Sequence, residues 1–501
     1  MLLHQRVRLL KYSRAAFLAT LLLPVAIAMP AAADSKSSMQ EPTGVPEVSV
    51  ALAPAVEAHS TPPVWLALPF AALLFMIATG PLLYSRFWHR SYPYVSVGMA
   101  VAVLSYYIIM QKSWLEPLEA LMEYVQFMSL IAALYMASGG VLIEINKPAS
   151  PLTNLTILLS GALLSNLIGT TGASTLLIRP YIRLNQGRIR IYHVVFFIFI
   201  VSNVGGALTP IGDPPLFLGF LSGVPFFWTV QHNFWPWLVA LTCLGLLFYR
   251  LDARNTRHAV QVVRSDRPLL ELVGKRNFFW FSLIIAAVFV DPNVFDWVPT
   301  LQYRGHSFSF VRELILLLVG YGSYRCASEQ ALRVNRFSFE PLREVVWVFV
   351  GLFGTMIPAL QLVSYFAQSE TAQALISHNT LYWGAGVFSS VLDNAPTYLN
   401  FAAASMAAQG ADILEVASVK SFARGVGFVN SVVQLKAISV ASVFFGAMTY
   451  IGNGPNFMIK AIAEQMNVRM PTFFVYMFRF AGLYLLPVLV LIWALFFALQ
   501  S

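Results

Sequence analysis

The chain has 501 residues, 58% hydrophobic and 11% charged, with a mean hydropathy of +0.68. That balance excludes an ordinary soluble domain and places the chain in a lipid bilayer. The net charge of +9 does not call for nucleic acid, because four of the charges (Arg6, Arg8, Lys11 and Arg14) precede one short apolar run.

That run, Ala15–Ala28, leads into Ala31, Ala32 and Ala33. A charged start, a short apolar stretch and small residues read as a secretory signal peptide over 1–33. The run falls short of the ~20 residues a span needs, which disfavours the alternative of an uncleaved anchor helix. Cleavage would leave the mature N-terminus on the periplasmic side of a bacterial inner membrane. Residues 34–61 are rich in Ala, Pro, Ser and Glu without periodicity and read as a disordered tether.

Ten apolar runs long enough to cross, or nearly so, then follow: Val64–Leu83, Tyr94–Met110, Tyr124–Ile145, Ile191–Phe217, Pro236–Tyr249, Phe278–Val290, Leu314–Tyr324, Val345–Val363, Ala437–Ile459 and Phe473–Leu499. Two further apolar stretches, Leu152–Ile182 and Leu381–Ala404, have polar middles. Lys and Arg set the sidedness. Lys147 precedes the first polar-centred stretch, and Arg179, Arg183, Arg188 and Arg190 end or follow it, so both flanks are cytoplasmic. Two limbs of ~12 residues reach ~18 Å, slightly past the midplane of a ~30 Å core, so this stretch reads as a re-entrant hairpin. Arg250, Arg254, Arg257, Arg264, Arg267, Lys275 and Arg276 hold the central loop inside, as do Arg325, Arg333, Arg336 and Arg343 further on. The second polar-centred stretch has no Lys or Arg before it and Asp412 and Glu415 after it, so it enters from outside.

The expected architecture is therefore an all-α polytopic membrane protein of about ten transmembrane helices plus two re-entrant hairpins in an inverted-topology repeat, with two broken helices. N-terminal helices occupy 62–119, the first repeat 120–252, cytoplasmic loops and connecting helices 253–343, and the second repeat 344–501.

Motifs carry the same symmetry. Gly206–Phe217 (GALTPIGDPPLF) and Gly446–Phe457 (GAMTYIGNGPNF) align without a gap, each late in a long apolar segment. Paired Gly/Pro-interrupted apolar segments point to the binding site of a secondary transporter. The first hairpin tip offers Ser165, Asn166, Thr170, Thr171 and Ser174; the first broken helix adds Asn203, Thr209 and Asp213. The second tip offers Ser389, Ser390, Asp393, Asn394 and Thr397, and the second broken helix Thr449, Asn453 and Asn456. Hydroxyls, amides and freed carbonyls suit a small cation, whereas half-helix N-termini suit a carboxylate. Asp213 and Asp393 favour the cation, since a midplane carboxylate costs ~2.5–3.5 kcal/mol and is a functional site by default. Asp before Pro-Pro also shapes turns and caps helices without further function. Glu123 and Glu344 read as solvated, structural groups at the interface. Cys243 and Cys326 lack disulfide or metal spacing, and no HExxH, GxSxG or Walker-type loop is present, so neither catalysis nor a cofactor is expected.

On SNLIGTTGAS, GGALTPIGDPPLF and SSVLDNAPTYLN, the chain resembles the ion transporter superfamily, most closely the D-type sodium:proton antiporters and the citrate-transport relatives grouped near them. The resemblance covers roughly Tyr124 to Leu499 and implies a homodimer whose transport domain moves as an elevator against a scaffold. Asn453 replaces the acid found at Asp213, and Tyr450 replaces Pro210, which breaks the symmetry of the two half-sites. The expected function is ion-coupled secondary transport, with Na⁺ exchanged for H⁺ ahead of cation-coupled uptake of citrate or a similar carboxylate. A membrane enzyme or scaffold is the remote alternative. Asp213 and Asp393 are the expected ion carriers, with Asn203, Thr209, Asn394, Thr449 and Asn453 as neutral ligands.

Overall fold

The computed structural model describes residues 62–145, 149–256, 270–292, 295, 297–303, 306–368, 376–413 and 415–498. The signal peptide and tether expected over 1–61 lie outside those residues, as do Lys147, Arg257, Arg264 and Arg267 of the sidedness argument. The first helices are α1 (Leu68–Leu83), α2 (Ser85–Ile109) and α3 (Leu115–Gly139). A strand β1 (Leu142–Ile145), α4 (Pro151–Leu184), α5 (Ile191–Ile200), α6 (Pro214–Ser222) and α7 (Trp228–Thr256) follow. Next come β2 (Leu270–Val273), α8 (Arg276–Val288), the short strands β3 (Leu301–Tyr303) and β4 (His306–Phe308), α9 (Val311–Arg325) and α10 (Glu329–Val334). The last part holds α11 (Glu340–Gln368), α12 (His378–Val391), α13 (Asn394–Ala407), α14 (Val416–Arg424), α15 (Ser431–Phe445), α16 (Gly454–Gln465) and α17 (Leu486–Phe496), the last preceded by a π-helical stretch, Val475–Leu485. Among the described residues, sheet is confined to two small antiparallel pairs, β1 with β2 and β3 with β4.

Seven helices among the described residues are long and apolar enough to cross a membrane, and Val64–Ile77, Ile191–Gly206 and Arg276–Val288 are shorter apolar helices. The chain is an all-α polytopic membrane protein. Burial sorts the helices. Every residue of His193–Ile200 in α5 is buried, as is every residue of Ala437–Phe445 in α15. A helix apolar all round belongs in the interior, and these two form the centre. Only 22% of the most apolar part of α2 is buried, which puts this helix at the outside of the described residues.

Length alone would make α4 a single crossing, but its geometry refutes this. A straight helix would hold residues 154 and 185 about 46 Å apart. Instead Asn154 Nδ2 donates to Asn185 Oδ1, and Asn185 Nδ2 to Asn154 Oδ1, both at 2.8 Å. The chain reverses at Gly169 (φ 77°, ψ 155°), a region essentially reserved for glycine. The base of this hairpin is tied to α7 by buried Asp252, which accepts from Asn154 (2.8 Å), Tyr192 (2.8 Å) and Arg188, with His193 Nε2 3.1 Å away. Helices α12 and α13 make the second reversal at Leu392–Asp393, and Phe388 and Phe401 pack across it with ring centroids 5.8 Å apart.

Candidate functional site

Both central helices break where glycine and proline interrupt them. After α5 the chain passes through a 3-10 turn, Val204–Gly206, before restarting at Pro214; after α15 it passes through Gly446–Met448 before restarting at Gly454. The backbone packs very closely at the first break: a Cβ on Gly212 would lie 2.0 Å from Gly206 O. The residues at the two restarts share one extended conformation, Asp213 at φ −146°, ψ 144° and Asn453 at φ −151°, ψ 136°. Neither side chain caps its own helix, so both are free to point inward.

Asp213 is 1% exposed and receives three donors. Thr170 Oγ1 (2.7 Å) and Asn453 Nδ2 (3.0 Å) reach Oδ1, and Asn394 Nδ2 (2.7 Å) reaches Oδ2. One carboxylate thus joins both hairpin tips and both broken helices. Behind it, Asn203 Nδ2 donates to Asn456 Oδ1 at 2.7 Å, Asn453 Nδ2 also approaches Asn203 Oδ1 at 3.1 Å, and Asn456 Nδ2 closes onto Gly446 O and Thr449 O. The amide oxygens of Asn394 and Asn453 are buried without a donor. Buried polar atoms are normally paired, and two bare oxygens beside a carboxylate are the donor set of a small hard cation.

The remaining expected residues divide. Ser165 donates to Gly161 O and Val201 O, Thr209 to Asn166 O, Ser390 to Gly386 O, Thr397 to Asp393 O and Thr449 to Ser390 O. Asn166 spends its amide on Ala162 O and Gly205 O while its oxygen accepts from Leu208 N. Ser165, Asn166, Ser390 and Thr397 thus bond the carbonyl four residues back, and Ser165, Asn166, Thr209 and Thr449 also tie tip backbone to break backbone. Ser174 pairs with Ser202 at 2.7 Å. Asp393 accepts from Ala395 N at 3.3 Å and so caps α13, yet it also faces the cavity described next. Thr171 faces that cavity as well.

A cavity of about 270 Å³, lined mostly by apolar side chains, opens beside Asp213, Asp393, Thr170 and Thr171. Its opposite wall comes from α3, α8 and α9 and contributes Glu123, Gln126 and Arg312. Glu123 faces this cavity while its side chain remains exposed, in keeping with the solvated group expected there. Neither it nor Arg312 stands near a recognisable motif; only the i, i+3 spacing of Glu123 and Gln126 on one face of an apolar helix marks that wall in the sequence.

The half-helix N-termini differ from expectation. Pro214 and Pro215 have no N–H, and Leu216 N is taken by Asp213 O. In α13, Ala395 N is taken by Asp393, Pro396 has none, and Thr397 N turns back to Asp393 O. In α16, Pro455 has none and Asn456 N bonds Asn453 O. These breaks retain helix dipoles but few of the N–H groups an anion site needs. Of the cations nearest the motifs, Arg179 and Lys460 do not line the cavity. Arg179 is buried with Nη2 3.1 Å from Tyr135 OH, and Lys460 pairs with Glu464 at 2.9 Å. No cluster of His, Cys, Asp and Glu among the described residues could hold a metal.

Two doubled-back helix pairs closing on two interrupted central helices, over a cavity, define a polytopic membrane protein of the transporter class. A family model described as "Putative citrate transport" matches residues 59–497. The chain belongs to this family, within the ion transporter superfamily. No curated protein matches it. The family favours carboxylate cargo over sodium:proton exchange, reversing the order expected from the motifs.

Proposed function

We propose that the protein is a secondary transporter that carries a citrate-class carboxylate together with coupling cations, Na⁺ or H⁺, by alternating access. The family match supports the cargo. The charge of the cavity supports the coupling, and that observation carries the reading. Glu123, Asp213 and Asp393 line it against one guanidinium, that of Arg312. Two like charges ~4 Å apart repel by about 4 kcal/mol at an effective dielectric near 20, so a polycarboxylate cannot enter such a site uncompensated. Cations at Asp213, beside the bare oxygens of Asn394 and Asn453, would remove the repulsion.

The mirrored repeat belongs to the same proposal. Paired bonds support it: Thr209 to Asn166 O and Thr449 to Ser390 O span tip and break alike in the two halves. Elevator movement of the hairpins, a homodimer, and a bacterial inner-membrane location with a periplasmic N-terminus complete the reading.

Purified protein in liposomes should accumulate labelled citrate only when an inward Na⁺ or H⁺ gradient is imposed. A second reading, sodium:proton exchange, is favoured by the acid and paired amide oxygens at Asp213. Na⁺-induced dequenching of a pH dye in inverted vesicles, with no response to any carboxylate, would establish that reading and remove the first.

A further inference from the structure

We propose that Arg312 is a specificity-determining residue that takes a distal carboxylate of the polycarboxylate cargo. The inference rests on the carboxylate reading above and names the group that handles the anion. With so few N–H groups left at the helix breaks, the cavity needs another positive group. Among the described residues lining it, Arg312 is the only Arg or Lys.

The side chain is built for such a contact. It leaves the first turn of α9 and is 9% exposed. Nη1 donates to Asp291 Oδ2 at 2.7 Å and Nε to Glu313 Oε1 at 2.8 Å. Those two bonds fix the plane of the guanidinium, while nothing among the described residues accepts from Nη2. A guanidinium has five N–H groups in a rigid fork, and its match to carboxylate is geometric as well as electrostatic. Held from behind by two acids, it keeps Nη2 for a ligand at no further cost in side-chain ordering. The cations at Asp213 would neutralise one end of the cargo and Arg312 would fix the other. A monocarboxylate has one anionic group and can engage only one of these anchors, so Arg312 separates polycarboxylates from monocarboxylates.

The test is transport by the full chain in liposomes. Arg312→Lys keeps the charge and its partners but loses the fork. It should raise the citrate KM about tenfold or more and narrow the preference for citrate over acetate by a similar factor, with the half-saturating Na⁺ or H⁺ unchanged. Arg312→Gln alone strands Asp291 and Glu313 and invites misfolding. The triple variant Arg312→Gln, Asp291→Asn, Glu313→Gln removes the three charges together and should show the same loss of preference. A citrate KM within twofold of wild type in both variants, or an equal rise for every substrate and for the coupling ion, overturns the proposal. Wild-type protein that moves no carboxylate overturns the function itself, an outcome visible before any variant is made.

Discussion

At the first helix break stands Asp213; at the second, on nearly the same backbone, stands Asn453. The two side chains bond to each other at 3.0 Å, so the acid of one half is held by the amide of the other. The hairpin tips differ as well. The first turns on Gly169 and sends Thr170 to Asp213, whereas the second turns through Asp393, which caps its own helix, and sends Asn394 to Asp213. At the helix breaks themselves the charge sits on one carboxylate, Asp213, to which Asn394 and Asn453 of the second half supply neutral donors. Two identical half-sites would place two buried acids side by side, at a desolvation cost that one shared acid avoids.

This contrast ranks the substitutions. Asp213→Asn should abolish cation-dependent transport, because three donors lose an ionised acceptor whose bonds are worth about 1.5–3 kcal/mol each. Uptake in liposomes should fall by more than about a hundredfold while the protein still elutes as a folded species. Comparable loss in Asn453→Asp would show that the asymmetry itself matters and not only the acid. Gly169→Ala tests the first turn. It forces a Cβ into a glycine-only conformation at about 1–3 kcal/mol, and thermal unfolding in detergent should shift downward accordingly. At the second turn Leu392 has an ordinary extended backbone (φ −96°, ψ 163°), so the volume-conserving change Leu392→Met carries no such strain and should cost less.

Smaller effects are expected where a residue serves its own helix. Asp393→Asn keeps a competent cap and should lower the transport rate about tenfold, short of the loss at Asp213. A loss as large as that of Asp213→Asn would make the two acids equal partners and erase the ranking. Thr209→Val removes a hydroxyl spent on Asn166 O and should cost about 1 kcal/mol of stability, with little change in the dependence of uptake on Na⁺. A marked shift in that dependence would return Thr209 to the ion site.

Much of this was legible in the chain itself. Apolar runs, the Arg clusters and the polar middles of 152–182 and 381–404 pointed to helices that double back. The repeated Gly/Pro phrase marked both breaks, since those residues cannot sit quietly within a helix. The motifs also brought out Asp213, Asn394 and Asn453, which do meet. Thr209, Thr397 and Thr449 each donate to a backbone carbonyl in the structure; a hydroxyl near a break is as useful to a carbonyl as to an ion, and sequence does not tell the two apart.

What sequence determined was local: which segments are apolar enough for the bilayer, where the helices must stop, and which short polar runs interrupt them. Those properties follow from side-chain hydropathy and backbone stereochemistry, which each residue carries wherever it lies. Tertiary structure decided the rest. It joined Asp213 to donors from three other segments, brought Glu123 and Arg312 into a cavity far from any motif, and spent the helix-end N–H groups on nearby oxygens. Such contacts depend on how helices distant in the chain pack together, and residue order alone does not specify them.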